Sequence, residues 1–303
     1  DLREALTRLA KTEKERTSWL ARSAEWLTQE LDSKSCARRV LFLHPAGGLI
    51  LRAVRRVPER RLASDETVGE DDSASATVPV GLLDHSRGVA KRARLYAQAC
   101  GLPDPVQTAL ELAGWLHDTG KADPRFQMLL RGGARGAGFG ELLAKSGSLP
   151  LPPAVRRELA RRAGYPPGAR HELLSMRFAE ALLSQPPGNA SPAPNLSENE
   201  LRLVLHLIAA THGHCRPLAP VVADDQPVNV SLHWPLTPES PAAVALEHAS
   251  ATGLEHLGAG VADRFWSLIR RHGWWGLAFL ETLVLLADHR QSEAEQHNNG
   301  ANP

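Results

Sequence analysis

Histidine stands beside aspartate in the stretch "GWLHDTGKADPRFQ", Gly114 to Gln127, and a lysine follows three residues after the aspartate. Imidazole nitrogen and carboxylate oxygen both bind divalent transition ions. A single His-Asp pair is also a common polar end to an apolar helix, so His117 and Asp118 need partners before they carry chemistry. The chain offers them. His85 opens "LLDHSRGVAKRA", His171 starts "HELLSMRFAEALL", His212 ends "LRLVLHLIAATH", and Asp288 comes late in "GLAFLETLVLLADHR". In order, these are histidine, His-Asp, histidine, histidine, aspartate. Imidazoles with two carboxylates suit Mn, Fe, Co, Ni or Zn and disfavour Mg or Ca as the tightest binder. A carboxylate shared by two ions is the usual device for hydrolysing a phosphodiester with activated water, and no protein nucleophile is then needed. Asp118 is the natural bridge, because His117 holds an ion from the same turn.

These side chains meet only if helices bring them together. Apolar residues recur at helical spacing over 82–100, 105–118, 171–184 and 198–212, and each candidate ligand in them falls at or near an end. Pro- and Gly-rich stretches separate the four. A long loop after Cys215 leads to two further expected helices, one around 241–256 and one from about Ala262 to Asp288. Upstream, Leu2 to Leu31 reads as one amphipathic helix, and "RRVLFLHPAGGLILRAVRRV" as a β-hairpin turning at Pro45–Gly48. The expected organisation is a helix and hairpin over 1–63, a flexible acidic linker over 64–80, a helical body over 81–292 and a disordered tail over 293–303. The fold class is mainly α. His206 reads as a packing or surface residue, as do His44, His233, His248, His256, His272, His289 and His297. Trp274 and Trp275 are expected to pack the last helix.

Composition sets broad limits. The 303 residues are 43% hydrophobic and 23% charged with net charge +1, so no global field points to a partner. Three well-separated cysteines, Cys36, Cys100 and Cys215, argue against a disulfide scaffold and for a reducing cytoplasm. No apolar run reaches the roughly 18 residues that span a bilayer, and the charged N-terminus is unlike a secretion signal. The chain opens on Asp1 rather than methionine and is expected to be either a chain trimmed for expression or the tail of a longer polypeptide. It lacks a nucleotide-binding P-loop, so an ATP-driven motor would have to be supplied in cis or in trans.

The pattern His85, His117-Asp118, His171, His212, Asp288 resembles the HD superfamily of metal-dependent phosphohydrolases. The string "HDTGKADPRFQ" resembles, more narrowly, the HD nuclease domain of the CRISPR-associated type I helicase–nuclease, in the subtype whose HD domain is C-terminal; "THGHCRP" and "ADHRQS" agree with it. The resemblance spans roughly Arg38 to Ser292. It implies an HD helical bundle carrying the N-terminal helix and hairpin as an appendage. It also implies one or two divalent transition ions, single-stranded DNA as substrate, and a helicase module and CRISPR surveillance complex as partners. His85, His117, Asp118 and Asp288 would hold one ion; Asp118, His171 and His212 would hold the other. The family usually has two adjacent histidines before the glycine, where this chain has Thr211-His212-Gly213-His214. Either His214 substitutes, or the second ion loses a ligand.

Lys121 lies one turn beyond His117, where its ammonium would contact a phosphate oxygen beside Asp118 in the catalytic group, or else stand exposed. Between Arg125 and Arg170 nine basic residues face two acids, a local excess of about seven positive charges. Arg125, Arg131, Arg135 and Arg170 are the candidate phosphate-track residues in that segment, and Phe126, Phe139 and Tyr165 the candidate base platforms. The alternative is a solvated basic surface. Two other functions compete with the nuclease: a phosphohydrolase for small nucleotides, and a non-enzymatic interaction platform retaining a structural metal.

Overall fold

The computed structural model describes residues 78–133, 140–147, 151–184 and 196–300, with the backbone of 41–43 and 49–51. The chain divides into two units, Asp1–Asp65 and Glu66–Pro303. In the first, β1 (Leu41–Leu43) pairs antiparallel with β2 (Leu49–Leu51), with Phe42 opposite Ile50, which is the expected hairpin. The helix expected over Leu2–Leu31 and most of the expected linker lie outside the described residues.

The second unit is mainly helical. The short strand β3 (Val80–Gly81) leads into α1 (Leu82–Ala99), whose Leu82, Val89, Ala90, Ala93 and Ala97 are fully buried at helical spacing. Next comes α2 (Asp104–Leu116), with Pro105 in its first turn, where a missing N–H costs nothing. It buries Leu110, Ala113, Trp115 and Leu116. A 3-10 turn (Thr119–Ala122) and the short α3 (Pro124–Leu130) follow; Asp123 caps α3 by accepting from the Arg125 N–H. Strand β4 (Leu143–Lys145) pairs antiparallel with β3. Then come α4 (Pro153–Ala163), α5 (His171–Leu183) and α6 (Glu198–Ala210), the last begun by a Ser197–Glu200 capping box.

Two expectations fail in the last third. Instead of a helix around 241–256, β5 (Asn229–Pro235) and β6 (Ala243–Ala249) form an antiparallel hairpin, Leu232 opposite Leu246. The physical reason is the period of two in β5: Val230, Leu232 and Trp234 turn inward while Ser231 and His233 face out. Trp234 meets Trp115 at a ring separation of 4.9 Å, and the Trp115 Nε1 donates to the Pro235 carbonyl. Such an aromatic pair contributes about 0.5–1.5 kcal/mol beyond its burial. The tail is the second correction. Helix α7 runs Val261–Gly300, bent at Gly273, whose φ of 71° is non-helical. Residues 293–300, expected to be disordered, continue it, because "SEAEQ" is rich in helix formers and Glu295 is held from the body. Among the described residues no helix is long and apolar enough to cross a membrane.

Candidate metal centre

Each candidate ligand leaves the packed face at an element's end. His85 lies in the first turn of α1. His117 is the residue that ends α2, and Asp118 follows with φ −105° and ψ 0°, which breaks the helix. His171 is the first residue of α5, and His212 comes two residues after α6. Asp288 sits midway along the distal part of α7. Gly120 makes the meeting of α2 and α5 possible. A Cβ on Gly120 would lie 2.0 Å from the His171 carbonyl oxygen, so any other residue would push the two elements apart. The Ser175 hydroxyl accepts the Gly120 N–H at 2.8 Å and so pins the turn.

The six side chains converge and are buried, His212 partly so. The Nε2 of His85 lies 3.1 Å from Asp288 Oδ1 and 3.7 Å from Asp118 Oδ2; that of His117 lies 3.5 Å from Asp118 Oδ2 and 4.0 Å from Asp288 Oδ1. On the other side, Asp118 Oδ1 is 3.1 Å from His171 Nε2, which is 3.3 Å from His212 Nε2. The ligand atoms form two groups, His85–His117–Asp118 and Asp118–His171–His212, each with all its atoms within 4.8 Å. Either group could hold a metal ion. Asp118 belongs to both and turns one oxygen to each.

The donor set fits a cation. His117 Nδ1 is 2.9 Å from the Gly114 carbonyl, to which only an N–H can donate, so the neutral ring carries its lone pair on Nε2. Glu295 takes the same place at His85 Nδ1, 3.0 Å away. The inner nitrogen of His117, Nε2, is buried without a hydrogen-bond partner in the protein, and that of His85 has only the Asp288 carboxylate, 3.1 Å away and poorly aligned for a hydrogen bond. Burial lowers the pKa of His117. For His85 burial acts the same way, but Asp288 and Glu295 outweigh it and raise the pKa, as expected where two carboxylates surround one imidazole. Burial works against the charge on Asp118, yet His117, Lys121 and His171 hold its pKa well below the usual carboxylate range. His85 and His117 lower that of Asp288 despite its burial. Burial takes His212 down to about 4, so it is neutral over the physiological range.

Several expectations need revision. Lys121 is neither exposed nor directed at open space: it is 4% exposed, with Nζ 2.6 Å from Asp118 Oδ2 and 3.3 Å from the Ala144 carbonyl. His214 joins neither ligand group, and φ of 86° at Gly213 turns the chain before it. The Thr211 hydroxyl donates back to helix carbonyls of Leu207 and Ile208. The second group therefore has three residues. Arg125 is buried in ion pairs with Asp123 at 2.8 Å and Asp224 at 3.1 Å, and Arg170 is buried with Nη1 3.6 Å from Glu172. Neither is a free surface cation for a phosphate track, because acids from outside the counted segment or beyond its edge pair with them. Arg131 donates to the Glu141 carbonyl; Arg135 and Phe139 lie outside the described residues. Phe126 packs inside, its ring 5.4 Å from that of His171 and 5.5 Å from that of Tyr165. Trp275 does not pack the last helix; it is 87% exposed, and Trp274 is 59% exposed at the edge of Phe265 and Trp266. His206 is a packing residue, its Nε2 2.7 Å from Glu281.

Three residues near the centre had no sequence signal. Lys145, almost fully buried, donates to Ser292 at 2.5 Å, and burial lowers its pKa. Ser292 in turn donates to the Asp288 carbonyl. Glu172 is fully buried beside His171, and neither carboxylate oxygen has a hydrogen-bond partner. Glu295 lies in what reads as tail. A cleft opens beside His171, walled by Tyr165, Arg170, Asp224, Ser250 and Glu255. In comparison with known proteins, no family model matches the chain, and no curated protein or solved structure matches it significantly.

Proposed function

We propose that the chain is a metal-dependent phosphodiesterase of the HD type that cleaves single-stranded DNA, in the setting of type I CRISPR interference. The observation that carries the hydrolase reading is the convergence of two buried imidazole nitrogens, His117 Nε2 without a hydrogen-bond partner and His85 Nε2 against Asp288, on two ionised carboxylates, one of which also faces His171 and His212. Ions at these groups, held by His85, His117, Asp118 and Asp288 and by Asp118, His171 and His212, would supply Lewis acidity toward a phosphate oxygen and a water of lowered pKa. The chain's own residues hold the geometry. Asp118 divides its oxygens between the two groups. Lys121 offsets the charge of Asp118 in a buried site, where His117 and Lys121 together favour the ionised carboxylate. The backbone carbonyl of Gly114 fixes the orientation of His117.

DNA as the substrate is supported by the resemblance of "HDTGKADPRFQ" and by exposed Arg157 on α4, beside Arg161 and Arg162, which share the single acid Glu158. On this reading a helicase module, in cis or in trans, and the surveillance complex deliver the strand in the cytoplasm. A small nucleotide is the second reading, and the walled cleft beside His171 favours it: the Tyr165 ring and the Asp224 and Ser250 oxygens are groups that could face a base. The test is cleavage by chain loaded with Mn, Co or Ni and offered single-stranded DNA, deoxynucleoside triphosphates and cyclic nucleotides. Cleavage of the single strand that disappears in Asp118→Ala is expected. Hydrolysis of mononucleotides with strands left intact transfers the function to the second reading, and no hydrolysis with metal bound refutes both.

A further inference from the structure

We infer that Glu295 is a positioning residue for His85, a carboxylate that fixes which imidazole nitrogen faces the candidate metal centre. The inference rests on the metal reading above and adds a residue that no ligand pattern contains. His85 and Glu295 are 210 positions apart, yet both Glu295 oxygens lie within reach of His85 Nδ1, at 3.0 and 3.1 Å. On the opposite edge of the ring, Nε2 points at Asp288 and Asp118. An acceptor at Nδ1 holds the proton there and leaves the Nε2 lone pair for an ion. A charged acceptor also makes that lone pair more basic than the backbone carbonyl makes the one on His117.

Glu295 is itself held. The Gln291 Nε2 donates to Glu295 Oε1 at 2.8 Å, and the Arg92 Nε donates to Gln291 Oε1 at 2.9 Å. The two bonds fix the orientation of the Gln291 amide, since its oxygen must face Arg92 and its nitrogen Glu295. A relay therefore runs from α1 through α7 and back to α1: Arg92, Gln291, Glu295, His85. Gly88 makes room for it, because a Cβ there would sit 2.2–2.5 Å from the Gln291 amide atoms. Asp288, Gln291, Ser292 and Glu295 follow at i, i+3, i+4 and i+7, one face of a helix. The extension of α7 past Asp288 thus carries the layer behind the ligands: Ser292 against Asp288 and Lys145, Glu295 against His85.

The test compares the full chain with Glu295→Gln and Glu295→Ala by two readouts. The first is calorimetric titration with Mn or Co. The second is the nitrogen NMR signature of the His85 tautomer in chelator, at a pH where the imidazoles are neutral. Glu295→Ala is expected to weaken ion binding roughly ten- to hundredfold and to release His85 from its Nδ1–H form. Glu295→Gln keeps an acceptor oxygen, so it should restore the tautomer and recover most of the affinity; that rescue is not expected if Glu295 only packs. Ion binding by Glu295→Ala equal to that of the parent chain, or an unchanged His85 tautomer, overturns the inference. So does loss of one bound ion in Glu295→Gln, which would make Glu295 a direct ligand. If the parent chain binds no ion, the metal reading itself has failed, and that result is distinct from a parent that binds and a variant that binds equally. Should Glu295→Ala not fold, Glu295→Gln and Gln291→Ala carry the comparison, the latter expected to weaken binding less than loss of the carboxylate.

Discussion

Replacing Asp118 with alanine should separate its two duties, ligand and counter-ion. In chelator, Asp118→Ala strips its carboxylate from the Lys121 ammonium, which is 4% exposed in the parent chain and also donates to the Ala144 carbonyl at 3.3 Å. Removing one member of a buried pair costs about 3–5 kcal/mol. Relief of the repulsion between Asp118 and Asp288 offsets part of this, so about 3 kcal/mol is expected. For a unit of this size each kcal/mol moves Tm by about 2–4 °C, giving a fall of about 6–12 °C. Adding Lys121→Met should return at least half of the loss, since the uncompensated charge goes with it. With Mn or Co at a hundred times the dissociation constant, the parent chain gains about 2.7 kcal/mol, a rise of about 5–11 °C. Asp118→Ala should show almost none of this rise at the same ion concentration. Scanning calorimetry in chelator and in metal measures both parts. An equal metal-induced rise in Asp118→Ala would refute the shared-ligand geometry, and a double variant no more stable than the single one would refute the buried-charge argument.

Three further outcomes are expected. His214→Ala should leave ion stoichiometry and affinity unchanged within about twofold, whereas His212→Ala should lower the affinity at least tenfold, both read by calorimetric titration. Asp224, whose pKa is lowered by Arg125 and Ser250 despite the cost of burial, stabilises the fold above its unfolded pKa of about 4, and that stability is lost as pH falls through the lower folded value. Asp224→Asn should cost about 1–2 kcal/mol at pH 7 and flatten the acid loss, which urea melts at several pH values would show; a parallel acid curve would argue against the pair. Trp275→Ser should change stability by less than about 0.5 kcal/mol, while Trp234→Ala should cost about 3–5 kcal/mol, both by urea melts.

Four of the helices were legible because their apolar faces repeat with the helical period and meet one core. The convergence of the candidate ligands was legible for a related reason, since histidines at the ends of such helices point where the ends converge. The misses have particular causes. β6 reads "AVALEHA", whose alanines and glutamate favour a helix locally, and its pairing with β5 outweighs that preference. α4 carries four arginines in eleven residues and buries no large apolar stripe, so no periodicity marks it. α3 is seven residues long and begins on a proline that reads as punctuation.

The charge count fails for a reason that bears on function. Counting nine cations against two acids over 125–170 treats each charge as if it faced water. Asp123 lies two residues before that segment and Asp224 lies 54 residues after it, and together they enclose Arg125. Arg170 is buried beside Glu172, and Lys145 turns inward to Ser292, so three of the nine cations leave the surface. What the segment presents outward is therefore much less than seven charges. If a DNA strand crosses this unit, the salt dependence of its binding should be correspondingly shallow, a slope of about 3 from about four neutralised phosphates rather than seven, because each contributes about 0.7 for single strands. Fluorescence anisotropy of a labelled single strand across a salt series, with catalysis blocked by chelator, measures that slope. A value near five, the full count times 0.7, would mean that these ion pairs open on binding and that the basic segment acts as a track after all.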